Sequence, residues 1–98
     1  MARQRKIPFG YLIRGGIVRS NPQEGEAVKY IFHQYLAGAS FLTIAEDMTR
    51  RGPSYHQHTP AWNKSMVKRI LENPKYTGAD GYPPLVPAED FAAVQHQR

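Results

Sequence analysis

The stretch NPQEGEAVKYIFHQYLAG, residues 21–38, contains the clearest helix start in the chain. Asn21 suits the N-cap because its side chain can accept hydrogen bonds from free backbone N–H groups, and Pro22 suits the first helical position. Glu24 stands where the carboxylate of a capping box would lie, and Gly38 suits a left-handed helix end. The apolar residues between them follow helical spacing and predict a core-facing stripe. The stripe consists of Val28, Ile31, Phe32, Tyr35 and Leu36.

Two short apolar runs precede this helix, and Gly15-Gly16 separates them. Because paired glycines accept the positive φ angles of a tight turn, residues 8–20 are predicted to form a β-hairpin with a two-residue loop. Side chains then alternate between two faces, of which one is expected to pack on the core. The core-facing set is Tyr11, Ile13 and Val18, and the outer set is Leu12, Arg14, Ile17 and Arg19.

A second helix is predicted at residues 41–51, after an N-cap at Ser40 and before a stop at Gly52-Pro53. Residues 54–61, SYHQHTPA, lack periodicity and are predicted to be a loop. The apolar face of the second helix comprises Leu42, Ile44, Ala45 and Met48.

A third helix is predicted after Asn63, which is a favourable N-cap, and it ends at Asn73-Pro74. Trp62 and Val67 have the spacing of a hydrophobic staple. A turn-rich connection leads to a last helix at residues 88–98, AEDFAAVQHQR, whose acidic first turn suits a helix start.

These elements predict a mainly α fold with a small N-terminal β-hairpin, organised as a compact, helix-turn-helix-like bundle of three to four helices. We expect one domain over the 98 residues, because this length supports a single core. Its parts are a basic arm (1–7), the hairpin (8–20), the helical bundle (21–76), and a connection with the C-terminal helix (77–98). No apolar run could span a bilayer, so no membrane partner is expected. The absence of cysteine fits a reducing compartment and predicts a cytoplasmic location.

Positive charge is segregated along the chain, whose net charge is +5. Residues 1–20 contain five cationic residues and no acid, and residues 61–76 contain four cationic residues and one acid. Such clustering favours a polyanionic partner, most often nucleic acid, although a merely solvated basic surface is the alternative. The candidate DNA-binding residues are Arg3, Arg5 and Lys6 in the arm, Arg14 and Arg19 in the hairpin, Lys64, Ser65, Lys68 and Arg69 in the third helix, and Lys75 after it.

Neither a catalytic residue nor a cofactor is predicted. The sequence lacks the nucleophile elbow, the phosphate-binding loop and the zinc-protease motif. Adjacent acids on the predicted helices diverge by about 100°, so they do not converge on one atom. His56 and His58 form an H-x-H pair, but no nearby acid or cysteine completes a metal site.

Four segments, in order and spacing, resemble the recombinase domain that follows the catalytic domain of large serine recombinases, found in phage integrases and transposon resolvases. They are IPFGYLI, NPQEGEAVKYIFHQYLAGASFLTIAEDMTRRG, WNKSMVKRILENPKYTG and PPLVPAEDFAAVQHQR, and they cover nearly the whole chain.

The resemblance implies a DNA-binding domain that grips duplex DNA at an attachment or recombination half-site, with a resolvase-type catalytic domain as its partner. In that family the nucleophilic serine belongs to the catalytic domain, which these 98 residues do not include. They correspond either to a segment of a longer recombinase or to a natural remnant of one, and no catalysis is expected from them. Two alternatives are a protein-interaction module of a recombinase complex and an autonomous helix-turn-helix regulator, which would form a dimer.

Overall fold

The structure, a computed structural model, describes residues 7–54 and 61–97. Within these ranges the chain forms an antiparallel hairpin and four α-helices, which confirms the predicted fold class. Two 3-10 turns, Pro74–Thr77 and Ala79–Gly81, join the third and fourth helices. The strands are β1 (Tyr11–Arg14) and β2 (Ile17–Ser20), and the helices are α1 (Pro22–Leu36), α2 (Phe41–Arg51), α3 (Lys64–Glu72) and α4 (Ala88–Gln97).

The start of α1 combines a predicted cap with a contact that was not predicted. Asn21 Oδ1 accepts hydrogen bonds from the backbone N–H groups of Gln23 and Glu24, both at 3.1 Å. The predicted capping box is wrong, however, because the N–H of Asn21 donates to the carbonyl of Gly10 at 2.8 Å. The carboxylate of Glu24 accepts from the N–H of Gly10 at 2.9 Å. The cap of α1 is therefore also a tertiary contact with the strand before the hairpin.

The other predicted helix ends are observed. Gly38 has φ +106° and its N–H donates to the carbonyl of Tyr35 at 3.0 Å, which closes α1 in the left-handed conformation. Ser40 Oγ accepts from the N–H of Thr43 at 3.1 Å and so caps α2. Asn63 Oδ1 does the same for α3, accepting from the N–H of Met66 at 3.0 Å.

The core lies where α1, α2, α3 and α4 pack on one another. Leu42, predicted to be on the buried face of α2, is 53% exposed, which corrects that prediction. At about 100° per residue, Leu42 lies about 60° around α2 from Ala45 and outside the narrower arc of Ile44, Ala45 and Met48, which are buried. The buried core comprises Phe9, Tyr11, Ala27, Val28, Ile31, Phe32, Ile44, Ala45, Met48, Trp62, Met66, Val67, Ile70, Leu71, Tyr76, Val86 and Val94.

The hairpin has the predicted register, with Ile13 opposite Val18 and Arg14 opposite Ile17. Tyr11 at its base is 1% exposed, but Ile13 is 59% exposed, so the prediction that Ile13 packs on the core is wrong. The helices cover the base of the ribbon, and Ile13, which is nearer the turn, extends beyond them.

Tyr11 anchors the hairpin to the connection after α3. Its single hydroxyl proton is shared between the carbonyls of Lys75 at 3.1 Å and Pro83 at 2.8 Å. Its ring stacks on that of Tyr76, with centroids 5.6 Å apart, and meets the ring of Tyr82 edge-on at 5.0 Å. Because an isolated two-stranded ribbon is marginal in water, this aromatic anchor holds the hairpin in place.

Candidate nucleic-acid interface

Helix α3 has two sharply different sides. At about 100° per residue, its buried and exposed residues occupy separate halves of the helix circumference, and the exposed arc spans about 140°. The buried half consists of Met66, Val67, Ile70 and Leu71, and the exposed half consists of Lys64, Ser65, Lys68, Arg69 and Glu72. The structure therefore brings the four predicted α3 site residues together on one outward face.

Three cations on this face have no partner among the described residues. Within residues 7–54 and 61–97, no ion pair or side-chain hydrogen bond involves Lys64, Lys68 or Arg69. On α1, by contrast, Lys29 pairs with Glu26 at 3.2 Å. With three such cations against the single acid Glu72, the exposed half of α3 has a net positive charge and presents a positive potential to an approaching anion.

Contacts at Trp62 hold the beginning of α3 against α2. The Trp62 N–H donates to Thr49 Oγ1 at 2.8 Å, and the indole N–H donates to the carbonyl of Pro53 at 3.0 Å. The indole ring also meets Phe9 edge-on, with centroids 5.1 Å apart. Trp62 and Val67 are both buried, as the predicted hydrophobic staple requires. The charged face thus stands on a rigidly packed helix.

The hairpin cations form a second group. Arg14 and Arg19 are exposed and, by the observed register, lie on the same face of the ribbon. Lys75 is half-buried, and its ammonium lies 5.1 Å from the centroid of the Tyr82 ring. Because the carbonyl of Lys75 also accepts from Tyr11, this lysine joins the end of α3 to the base of the hairpin.

Arg3, Arg5 and Lys6 of the predicted arm lie outside the described residues, as do His56 and His58. Among the described residues no group of three potential metal ligands occurs. No helix in that part of the chain is both long enough and apolar enough to cross a membrane.

Arg50 and Arg51 at the end of α2 show why cationic residues cannot be assigned from sequence alone. Arg50 pairs with Asp47, which also accepts a hydrogen bond from the hydroxyl of Tyr30 on α1. The hydrogen bond from Tyr30, and after it the one from Arg50, lower the pKa of Asp47. The hydrogen bond between Tyr30 and Asp47 also raises the pKa of Tyr30. The Arg51 guanidinium lies 4.7 Å from the centroid of the Tyr30 ring. Asp47 and Arg51 therefore join α2 to Tyr30 on α1, and Arg50 pairs with Asp47 within α2.

Comparison with known proteins identifies a family by sequence and a similar fold by structure. A family model described as Recombinase matches residues 22–82 of the chain. The fold is similar to that of a protein in the crystal structure of an LSR–DNA complex, LSR being a large serine recombinase. The TM-score is 0.71 at 17% sequence identity over 96% of the present chain. The present chain spans only 32% of the length of that protein. The search of curated proteins found no match to the present chain.

Proposed function

Since the chain belongs to the Recombinase family, we propose that it is a non-catalytic DNA-binding domain of a site-specific serine recombinase. In this role it grips duplex DNA at an attachment or recombination half-site. The observation that carries the proposal is the outward face of α3, where Lys64, Lys68 and Arg69 are exposed without protein partners among the described residues. The similar fold in the LSR–DNA complex supports it.

The α3 face has the properties that major-groove binding requires. A single helix fits the major groove, and its cations can neutralise the phosphates on either side. Ser65, in the first turn of α3, can donate to a phosphate oxygen or a base edge. The remaining proposed contacts come from the arm, the hairpin and the end of α3, through Arg3, Arg5, Lys6, Arg14, Arg19 and Lys75.

The chemistry of recombination belongs, in this proposal, to a resolvase-type catalytic domain of the same or parent protein. The present chain contributes affinity and placement, and it requires no cofactor. A cytoplasmic location suits a cysteine-free domain that meets DNA.

The proposal is tested by removing one α3 cation at a time and measuring affinity for a labelled duplex of about 25 base pairs by fluorescence anisotropy. Lys68→Ala and Arg69→Ala should each weaken binding about three- to tenfold while the melting temperature stays near that of the wild type, because both side chains are exposed. Lys29→Ala is the matched control, since it removes one exposed lysine from α1. The affinity of Lys29→Ala for the duplex should stay within about twofold of that of the wild type, because this variant loses one unit of net charge and no proposed contact.

Hydrogen exchange separates this function from a protein-interaction role. If the domain grips DNA through α3, duplex DNA should protect the backbone amides of α3 more than those of α4. Duplex binding that leaves α3 unprotected, together with unchanged affinity in Lys68→Ala and Arg69→Ala, would remove α3 from the interface and favour the protein-interaction alternative.

A further inference from the structure

The tip of the hairpin exposes two large apolar side chains that the core does not need. Ile13 is 59% exposed and Ile17 is 56% exposed. Ile17 directly follows the Gly15-Gly16 turn and Ile13 stands two residues before Gly15. The two glycines have φ angles of +60° and +76°, and the backbone of the turn has open space around it. Exposure of a single apolar side chain is common at protein surfaces, but two isoleucines beside one turn, next to two exposed arginines, make the tip a candidate contact surface.

The register places these two isoleucines on opposite faces of the ribbon. Ile13 pairs with Val18 and Ile17 pairs with Arg14, and successive pairs along a ribbon alternate between its faces. A flat protein surface would cover one face and leave the other in water. A partner that covers both faces at once must surround the tip, as the two walls of a groove do.

The positive charge of the hairpin favours a negatively charged partner. Residues 8–20 contain two cations, Arg14 and Arg19, and no acid. Neither arginine has a side-chain partner among the described residues, and both lie on the face that carries Ile17. A groove with negatively charged walls matches this arrangement, because the long arginine side chains can reach phosphates on the walls while both isoleucines, at or next to the pair beside the turn, enter the groove with the tip.

We propose, on the basis of the DNA-binding function above, that the hairpin tip enters the major groove of duplex DNA, where Ile13 and Ile17 contact thymine methyl groups. The major groove is about 12 Å wide and admits a two-stranded ribbon, whereas the minor groove is about 6 Å wide. The thymine methyl group is the apolar feature of the major-groove floor. The glycine turn allows the backbone to approach the base edges closely.

The test uses the double variant Ile13→Ser/Ile17→Ser and a labelled duplex of about 25 base pairs of alternating adenine and thymine, in which every base pair offers a thymine methyl group. A second duplex carries deoxyuridine in place of each thymidine, which removes the methyl group alone. Leu42→Ser is the matched control, because it removes a similarly exposed apolar side chain from a different element. Leu42 lies at the start of α2, which follows the C-terminal end of α1, whereas the hairpin precedes the N-terminal end of α1. Melting curves verify folding of each variant.

The double variant should bind the thymine duplex roughly tenfold more weakly, with an unchanged salt slope, because it loses apolar contacts and no charge. The wild type should weaken by a comparable factor on the deoxyuridine duplex, and the double variant should weaken almost no further. Leu42→Ser should behave as the wild type on both duplexes.

Two results would overturn the inference and spare the DNA-binding function. One is a double variant that binds within about twofold of the wild type while Lys68→Ala binds weakly, which would leave the tip for a protein contact. The other is a weakened double variant with a wild type indifferent to removal of the methyl groups, which would exclude the major-groove placement. If the wild type binds neither duplex even at low salt, the proposed function fails together with the inference.

Discussion

At the scale of single residues, Trp62 determines how α3 is attached to the rest of the protein. It is 6% exposed, its two N–H groups donate to α2 and to Pro53, and its ring meets Phe9. Trp62→Ala should lower the free energy of unfolding by about 3–5 kcal/mol, because a large cavity forms and the Pro53 carbonyl no longer has its donor. Urea denaturation measures this change.

Leu42→Ala serves as the control for Trp62→Ala, since Leu42 is 53% exposed and its truncation leaves no cavity. A decrease below about 1 kcal/mol in Trp62→Ala would mean that the indole does not support the core.

Because of Tyr11, the free energy of unfolding should depend on pH in the alkaline range. Burial, with a smaller contribution from neighbouring Tyr82, raises the pKa of Tyr11 to about 12, against 10.0 for an ordinary tyrosine. Below pH 10 both folded and unfolded chains hold the proton, so the stabilisation is complete. Between pH 10 and about 12 the unfolded chain ionises first, and stability should fall as the pH rises.

The matched variant is Tyr11→Phe, which should be less stable than the wild type at about pH 8 by about 1–2 kcal/mol, because the shared hydrogen bond from the hydroxyl is removed and the carbonyls of Lys75 and Pro83 no longer have this donor. Its free energy of unfolding should change less than that of the wild type between pH 10 and about 12, a comparison that removes the contribution of other tyrosines. Parallel pH profiles for the two proteins would contradict the raised pKa.

Local chemistry made some residues predictable and left others beyond reach. The caps at Asn21, Ser40 and Asn63 depend on backbone groups two or three residues away, so the sequence pattern was sufficient. The partners of Tyr11, at Lys75 and Pro83, are 64 and 72 residues away, and no periodicity identifies them.

At the scale of elements, α3 is both the most clearly two-sided helix and the proposed contact surface. Its nine residues form a short helix, so its start matters more than it would in a long one. Asn63→Ala should lower the free energy of unfolding by about 1 kcal/mol, because the N–H of Met66 no longer has its acceptor. Thermal or urea denaturation measures this effect.

Asn63→Ser is the companion variant for the α3 cap, since serine also accepts at an N-cap and should restore most of the stability. Equal destabilisation by Ala and Ser would show that the cap is not the source of the effect.

The bounds of α2 and α3 follow from the sequence because a cap and a stop signal mark each helix. The exposure of the hairpin tip does not, since alternation identifies two faces of a ribbon but not how far the helices extend along it. Leu42 was misplaced for a different reason, because helical spacing does not fix how wide the buried arc of α2 is. The α3 face could be predicted as a cluster of exposed cations, whereas the hydrogen bond from Tyr30 on α1 to Asp47 on α2 depends on the tertiary arrangement.

At the scale of the whole molecule, the distribution of charge and the shape both suit a DNA ligand. The net charge is +5, and the principal extents are 38, 31 and 20 Å. The longest dimension is close to one turn of B-form DNA, about 34 Å, so a single domain can contact roughly one turn of a half-site.

The measurement that tests the central claim most directly is the salt dependence of duplex binding, for the wild type and for Lys64→Ala/Lys68→Ala/Arg69→Ala. Anisotropy titrations across roughly 50 to 200 mM salt yield the slope of log affinity against log salt concentration. We expect a wild-type slope of several units, and a slope in the triple variant that is shallower by roughly 0.9 for each phosphate that the protein no longer neutralises. A triple variant with the slope and affinity of the wild type would contradict the claim that α3 grips DNA.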